Sequence, residues 1–206
     1  MTGARKGHWD TVYGTKADTE VSWYEVAPVR SLELIYASGL QLNDPVIDVG
    51  GGASFLVEEL LNRRHSDLTV LDISSEVLQK LAVRLGARAN DVTRLQCDVT
   101  TFQAHRKYAL WHDRAVFHFL TDAEDRKRYL AALRNALKSD GHVIIATFGP
   151  EGPERCSGLD VERYDAAKLT KEFGAGFSLV ESSLEIHHTP RGTSQQFLYC
   201  RFRRKE

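Results

Sequence analysis

Three aspartates follow or end successive apolar segments, and one glycine bend lies just after the first of them. Asp48 precedes the bend Gly50-Gly51-Gly52, Asp72 ends the next segment, and Asp98 follows the third. Glycine lets the backbone turn sharply and approach a ligand closely, and the N-terminus of the helix after such a bend offers free N–H groups. An acid about 20 residues beyond the bend is placed to accept hydrogen bonds from both ribose hydroxyls. The pattern predicts a nucleoside site.

A parallel sheet would bring these acids together. Short apolar runs rich in β-branched residues alternate with segments of helical period, and Ser74 or Ser75 and Gly86 mark the two ends of one predicted helix. Strands are predicted at 46–49, 68–72, 92–97, 108–113 and 142–147, after a turn at Asp140-Gly141, and helices at 53–63, 75–85 and 122–137. This alternation is typical of a parallel sheet with helices on both faces. Ligands of such sheets bind outside the carboxyl ends of the strands.

The C-terminal part of the chain departs from the alternation. Two extended runs, 177–187 and 195–202, are separated by a short gap that contains Pro190 and Gly192. Proline and glycine in so short a gap indicate a hairpin. The predicted fold class is therefore α/β, with a mostly parallel seven-stranded sheet that ends in an antiparallel hairpin.

Composition limits the class of protein. The chain has 206 residues, of which 42% are hydrophobic, and a formal net charge of −1, so it lacks the overall field of a nucleic-acid or anionic-membrane binder. No apolar run is long enough to span a bilayer or to act as a secretory signal. Three separated cysteines, Cys97, Cys156 and Cys200, fit a reducing compartment and no thiolate zinc site. We expect a cytoplasmic protein without a metal.

The run Val46–Ser54 resembles motif I of the class I S-adenosylmethionine-dependent methyltransferases, and Asp72 and Asp98 resemble the acids of their motifs II and III. Ser54 replaces the third glycine that is usual in motif I. The resemblance covers essentially the whole chain, and the C-terminal hairpin is similar to the family's sixth and seventh strands. It implies a Rossmann-like fold, S-adenosyl-L-methionine as cofactor and S-adenosyl-L-homocysteine as product. A dinucleotide motif would need glycine where Phe55 stands, which disfavours a nicotinamide oxidoreductase.

Aromatic residues precede the first strand. Trp9 and Tyr13 are four residues apart, on one face of a helical turn, and Trp23 and Tyr24 follow. They resemble the W-x-x-x-Y segment of a methyltransferase branch that includes lysine methyltransferases acting on elongation factor 1A, in which such aromatics line the cofactor pocket. Aromatic faces suit a cationic sulfonium. The alternative is that these rings only attach an N-terminal helix to the sheet.

The resemblance implies roles for particular residues. Asp48 would orient the glycine bend and, through water, the methionine ammonium, while Asp72 would hold the ribose and Asp98 the adenine amino group. Residues 1–44 would cover the cofactor, 45–148 would bind it, and 149–206 would face the substrate, all within one domain. The implied cofactor-binding residues are Trp9, Tyr13, Trp23, Tyr24, Asp48, Gly50, Gly51, Gly52, Asp72, Ile73, Asp98, Val99 and His112.

Polar residues at the end of the fourth strand are the candidates for catalysis. His112, Asp113 and Arg114 are the predicted catalytic residues, and Arg114, His118 and Arg155 the predicted contacts to substrate. A general base is needed only if the acceptor is protonated at neutral pH. His118 lies in an apolar stretch, where a buried structural histidine is the alternative. Arg155 lies in a loop rich in proline and glycine, which the alternative treats as an ordinary connection.

The predicted activity is transfer of a methyl group by in-line displacement to an unidentified acceptor. Residues 112–117 do not complete the D-x-x-aromatic pattern of amine and lysine methyltransferases, which favours a small-molecule acceptor. A protein-lysine methyltransferase and a cofactor-binding module without turnover are the alternatives.

Overall fold

The computed structural model describes residues 2–205, and its centre is a seven-stranded sheet. The strands run in the order β3-β2-β1-β4-β5-β9-β8, and β6 and β7 form a separate two-stranded hairpin. The strand bounds are β1 Val46–Val49, β2 Leu68–Asp72, β3 Val92–Gln96, β4 Tyr108–Arg114, β5 Leu137–Phe148, β6 Arg155–Cys156, β7 Leu159–Asp160, β8 Phe177–His188 and β9 Ser194–Arg204.

Strand direction confirms the predicted fold class. The five strands β1 to β5 are parallel to one another, and β9 is antiparallel to both β5 and β8. The central strands β1 and β2 are buried along their whole length, as expected of strands covered on both faces. In the register of β1 and β4, Asp48 lies beside His112. The carboxyl ends of the parallel strands therefore meet at one edge.

Within residues 2–205, six α-helices surround the sheet, and the capping residues explain where several of them begin. Their bounds are α1 Thr2–Thr15, α2 Val29–Ala37, α3 Leu56–Asn62, α4 Ser75–Leu85, α5 Ala123–Ala136 and α6 Ala166–Phe173. Ser74 caps α4 by accepting a hydrogen bond from the N–H of Val77, and Asp122 caps α5 by accepting from Glu124. Gly86 ends α4, as predicted. No helix among residues 2–205 combines the length and apolar character needed to cross a bilayer.

Two apolar cores lie on opposite faces of the sheet. One packs α5 and α6 against the strands, with Trp111, Tyr129 and Phe173 fully buried in it. The other packs α2, α3 and α4, with Leu34 and Leu56 at its centre. These cores fix the strand ends from both sides, which gives the site at that edge a rigid base.

Two predicted boundaries differ from the structure by three residues or more. The helix predicted from Ala53 begins at Leu56, because Gly51–Ala53 form a separate 3₁₀ turn. The turn predicted at Asp140-Gly141 lies inside β5, which begins at Leu137. Leu137 is fully buried and pairs with Tyr108, so strand pairing starts as soon as α5 ends, and an irregularity in the register accommodates the extra residues.

Candidate functional site

Two adjoining cavities open at the carboxyl ends of β1, β2 and β4. The large cavity spans about 820 Å³ and the small cavity about 420 Å³, in each case including open solvent at its mouth. Trp23, Val49, Gly50 and Arg114 line both. Of the predicted cofactor-binding residues, the large cavity also contacts Trp9, Tyr13, Asp72, Ile73, Asp98 and Val99, and the small cavity also contacts Asp48, Gly51 and His112.

Two carboxylates face the large cavity from neighbouring strands. Asp72 accepts hydrogen bonds from the backbone N–H groups of Ser74 (3.0 Å) and Gly52 (3.2 Å). Asp98 uses Oδ1 to accept from Thr100, whereas its buried Oδ2 has no hydrogen-bond partner among the described residues. Oδ2 lies 3.6 Å from the guanidinium of Arg5. A buried acceptor of this kind is costly unless a ligand or water supplies a donor.

The charge on the Asp72 carboxyl group changes with pH near pH 6. Burial raises the pKa of Asp72 to about 6, and the nearby carboxylate of Asp48 adds to the rise, while the backbone donors oppose it. Above about pH 6 the side chain is ionised and presents a strong acceptor to the large cavity.

The glycine bend is required by close contacts. Gly50 has φ of +71°, and a Cβ at this position would lie 2.2 Å from Cγ2 of Val116. A Cβ at Gly51 would lie 2.2 Å from Oδ2 of Asp48, and one at Gly52 would lie 2.3 Å from Val77. Gly52 lines neither cavity, and its N–H holds Asp72 instead. The lack of side chains at the bend thus allows Val116, Asp48 and Val77 to pack closely against it.

Asp48 and His112 form a buried pair at the base of the small cavity. Oδ1 of Asp48 lies 2.6 Å from Nδ1 of His112, and Nε2 of His112 lies 2.9 Å from the hydroxyl of Ser31. Oδ2 of Asp48 is buried and lacks a hydrogen-bond partner within residues 2–205. Ser31 is fully buried and contacts neither cavity, which argues against a nucleophilic serine despite the Ser-His-Asp order.

Aromatic residues of the N-terminal segment line the side of the large cavity that α1 covers. Trp9 stacks on Tyr13, with ring centroids 5.9 Å apart, and meets Trp23 edge to face at 5.8 Å. Tyr24 lines neither cavity, and its ring packs against Phe55. The structure therefore brings three of the four predicted aromatics to the site and leaves Tyr24 outside it.

Polar contacts also hold α1 over the large cavity. Arg5 lines the cavity and forms ion pairs with Asp98 and Asp125. Asp10 accepts a hydrogen bond from the Ser74 hydroxyl at 2.7 Å, at the start of α4. Nothing in the sequence places Arg5 in the site, because only the docking of α1 brings it there.

Arg114 is fixed at the junction of the two cavities. Its guanidinium donates to the Tyr199 hydroxyl (2.8 Å), to the carbonyl oxygen of Trp23 (2.9 Å) and to Glu25 (2.8 Å), and it lies 4.6 Å from the ring centroid of Phe197. These partners hold the segment around Trp23 against the sheet.

Asp113 points away from both cavities into the core beside α5. It accepts hydrogen bonds from the N–H groups of Val116 and Phe117 and from the Tyr129 hydroxyl at 2.6 Å. Burial raises its pKa to about 6, against these donors. Ala115 in the turn it holds has φ of +72°. These contacts give Asp113 a structural role in the turn that follows β4.

His118 and Arg155 also lie outside the two cavities. Nδ1 of His118 accepts a hydrogen bond from the N–H of Phe148, and burial lowers the pKa of His118 to about 3, so the ring is neutral. Arg155 is an exposed residue of the β6–β7 hairpin, where it pairs with Asp160 at 3.0 Å. For both residues the placement supports the structural alternative.

Several cavity residues were not predicted from the sequence. Glu25 lines the small cavity, and Val116, Phe119 and Leu159 line the large one. Glu25 had one available signal, since it is the acid directly after Trp23-Tyr24 in an otherwise apolar segment.

Comparison with known proteins supports the same assignment of the fold. Residues 47–143 match the family model described as a methyltransferase domain. None of the curated proteins matches the sequence. Many solved structures are similar, among them a SAM-dependent methyltransferase from Anabaena variabilis, with a TM-score of 0.77 and 14% identity over 99% of this chain and 95% of that one.

Two further structures carry ligands. The 1,6-didemethyltoxoflavin-N1-methyltransferase of Burkholderia thailandensis, solved with 1,6-didemethyltoxoflavin and S-adenosylhomocysteine, has a TM-score of 0.69 and 19% identity over 99% of this chain and 85% of that one. The N-methyltransferase NodS of Bradyrhizobium japonicum, solved with S-adenosylhomocysteine, has a TM-score of 0.72 and 16% identity over 96% and 98%. At these identities the likeness establishes the fold.

Proposed function

We infer that this chain, a class I methyltransferase in its fold and in the domain match over residues 47–143, transfers the methyl group of S-adenosyl-L-methionine to a small-molecule acceptor. One observation carries the proposal: the carboxylates of Asp48, Asp72 and Asp98 converge on two adjoining cavities behind one glycine bend. Each presents an acceptor to a different part of an adenosylated amino acid.

The large cavity fits the adenosine. Asp72 is ionised above about pH 6 and can accept from the two ribose hydroxyls, since each oxygen now holds one backbone donor. Oδ2 of Asp98 lacks a hydrogen-bond donor in the described chain and can accept from the adenine amino group. Ile73 and Val99 supply apolar contacts to the base, and Trp9 and Tyr13 cover it.

The small cavity fits the methionine part. The buried Oδ2 of Asp48 can accept from the methionine ammonium, directly or through water, and His112 fixes the orientation of that carboxylate through Oδ1. Gly50 and Gly51 line this cavity, and their lack of a side chain allows Val116 and the Asp48 carboxylate to pack against the bend. The cavity therefore matches the methionine ammonium in charge.

The cofactor supplies an activated methyl carbon, so the protein has to align the acceptor and exclude water. Trp23 and Arg114 lie where the two cavities meet, and the aromatic face of Trp23 can stabilise a sulfonium there. We assign residues 1–44 to covering the cofactor, 45–148 to binding it, and 149–206 to the acceptor side.

A small acceptor is supported by two features. One is that residues 112–117 lack the D-x-x-aromatic pattern, which counts against a protein-lysine acceptor. The similar structures from Burkholderia thailandensis and Bradyrhizobium japonicum are described as N-methyltransferases, the first with 1,6-didemethyltoxoflavin bound.

Calorimetric titration with S-adenosyl-L-methionine tests the proposal. Asp72→Ala should weaken binding by about 2–4 kcal/mol, or about 30- to 1,000-fold, because two charge-assisted hydrogen bonds are lost. Asp67→Ala is the matched control: it removes an aspartate just before the same strand, where the side chain pairs with Arg106, and should leave affinity unchanged. Unchanged affinity in Asp72→Ala, or no binding to the wild type, would refute the assignment.

A further inference from the structure

A third cavity lies next to the small cavity and opens to solvent. This outer cavity is a shallow space of about 880 Å³, open solvent included, between the segment 24–29 and the β8–β9 hairpin. Its lining includes Tyr24, Val26, Val29, His187 and Pro190. Glu25 lines both the small and the outer cavity. Glu25 is thus the residue that lies between this solvent-open cavity and the methionine end of the site.

Of the two carboxylate oxygens of Glu25, Oε1 has hydrogen-bond or ion-pair partners among the described residues and Oε2 has none. Oε1 accepts from Nη2 of Arg114 at 2.8 Å and lies 3.8 Å from Nδ1 of His187. Oε2 takes part in no hydrogen bond or ion pair with the described part of the chain. Nε2 of His187 donates to the carbonyl oxygen of Ser22 at 2.7 Å, so in the neutral ring the unprotonated Nδ1 is the nitrogen nearer Glu25.

The charges around Glu25 come from two strands. Arg114 and His112 face it from β4, and Glu185 and His187 from β8. Burial raises the pKa of Glu25 above its usual value, assisted by Glu185 and opposed by Arg114 and His112. Burial and the cation of Arg114 lower the pKa of His187. The carboxylate is thus a better base than an exposed glutamate, beside a histidine that is neutral at physiological pH.

We propose that the acceptor is an amine on an apolar body, that it enters through the outer cavity, and that Glu25 takes its proton. This proposal rests on the proposed function and names its substrate class. An amine arrives as an ammonium ion, which a carboxylate binds, whereas a carboxylate or thiolate acceptor would be repelled. Val26 and Val29, at the mouth, are 82% and 58% exposed and suit an apolar body. Arg114 is held by Tyr199, Trp23 and Glu25, which argues against it as an anion anchor.

The step balances without any further reactant. The ammonium N–H bond breaks and its proton moves to Oε2 of Glu25. The freed nitrogen lone pair forms the bond to the methyl carbon as the carbon–sulfur bond breaks, and that electron pair stays on sulfur, which becomes neutral. The product leaves as an N-methylammonium ion, and Glu25 returns its proton to solvent through the outer cavity.

The first experiment measures release of S-adenosylhomocysteine with matched acceptors. Benzylamine and longer aromatic amines are compared with phenylmethanethiol, 4-methylphenol and phenylacetate. We expect release with amines, a fall of about 10²- to 10³-fold in kcat/KM in Glu25→Gln, and cofactor affinity within twofold of wild type. The deficit of Glu25→Gln should shrink as the pH approaches the pKa of the amine, where free amine no longer needs a base. A purely structural role would not produce that recovery.

A second measurement follows binding of the acceptor and does not depend on methyl transfer. Binding of benzylammonium to the protein saturated with S-adenosylhomocysteine should be weakened at least tenfold in Glu25→Gln, since a charge-assisted contact is lost. Glu33→Gln is the matched control, because Glu33 lies on α2, pairs with Arg30, carries the same charge and lines none of the three cavities. It should keep acceptor binding and kcat/KM within about threefold.

Four outcomes would overturn the proposal and leave the proposed function standing. They are methylation of the thiol, phenol or carboxylate but of no amine; tight cofactor binding with no release in the presence of any amine; a loss of cofactor affinity in Glu25→Gln that accounts for its loss of activity; and equal losses in Glu33→Gln. Failure of the wild type to bind S-adenosylmethionine would instead remove both proposals.

Discussion

Asp48 Oδ1 and His112 Nδ1 lie 2.6 Å apart across the paired strands β1 and β4, with both side chains buried. His112 is in turn hydrogen-bonded to the hydroxyl of Ser31 on α2. The pair therefore ties the glycine bend, the strand next to it and a covering helix to one point. It also turns the other oxygen of Asp48 into a buried acceptor with no hydrogen-bond partner among residues 2–205.

Asp48→Asn should separate binding from stability. The amide oxygen can keep the hydrogen bond to His112, while the charge offered to the methionine ammonium is lost. We expect S-adenosylmethionine affinity to fall by about 1.5–3 kcal/mol, the usual value of a hydrogen bond to a charged group. The free energy of unfolding should stay the same or rise, because a buried, incompletely paired charge is removed. Calorimetry and urea unfolding measure the two quantities; a variant that lost stability but kept affinity would contradict the assignment.

Cofactor affinity should depend on pH through Asp72. Its pKa in the folded protein is raised from 3.8 to about 6, so below about pH 6 the carboxyl group is protonated in the free protein. Ribose hydroxyls donate best to the ionised form. Affinity should therefore be full above pH 6 and fall by up to about tenfold per pH unit below it.

Titrations between pH 5 and pH 7.5 test this dependence, with Asp72→Asn as the control that should bind weakly but with little change over the same interval. An affinity of the wild type that stayed constant down to pH 5 would contradict the role given to Asp72.

Asp113→Ala should affect folding rather than binding. The substitution leaves the N–H groups of Val116 and Phe117 and the Tyr129 hydroxyl without their acceptor, at a fully buried site. We expect the free energy of unfolding to fall by about 2–4 kcal/mol. Asp122→Ala, which removes only the exposed cap of α5, should lower it by about 1 kcal/mol. Cofactor affinity of the folded protein should be unchanged in both variants. A large loss of affinity in Asp113→Ala with normal stability would indicate that Asp113 takes part in cofactor binding.

Trp9→Ala should weaken cofactor binding while leaving the fold intact. Trp9 is in contact with the large cavity and meets Tyr13, Trp23 and Phe119 there, so its loss opens the cover over the adenosine. A loss of about 1–3 kcal/mol in affinity is expected for a buried aromatic contact. Thr11→Ala, on the exposed side of the same helix, should change nothing. Equal affinity for the two variants would mean that Trp9 only attaches α1.

Much of the fold follows from local patterns in the sequence. Short apolar runs predict β1, β2 and β3 to within a residue at each end, and Ser74 and Gly86 mark the ends of α4. The sequence also predicts Asp72 and Asp98 at one edge, because parallel strands bring their carboxyl ends together. The structure places both at the large cavity.

The last residues of β4 show what the sequence pattern could not predict. Successive side chains of a strand point to opposite faces, so His112 meets Ser31 on α2 while Asp113 meets Tyr129 on α5. Because the two residues are adjacent in sequence, both were candidates for catalysis. The alternation of side chains along β4 places them on opposite faces of the sheet. Arg5 and Glu25 carry no periodic signal, because docking of α1 and of the segment after it depends on tertiary contacts.

The last strand along the chain, β9, occupies an interior position of the sheet, between β5 and β8. It also supplies the Tyr199 hydroxyl and the Phe197 ring that hold Arg114. Because β8 pairs only with β9 in this sheet, β8 cannot join the sheet during synthesis until residues 194–204 have left the ribosome. Until then, β8 is an unpaired segment of the nascent chain. A truncation that spares every cofactor-facing aspartate but removes β9 would therefore still produce an incomplete protein.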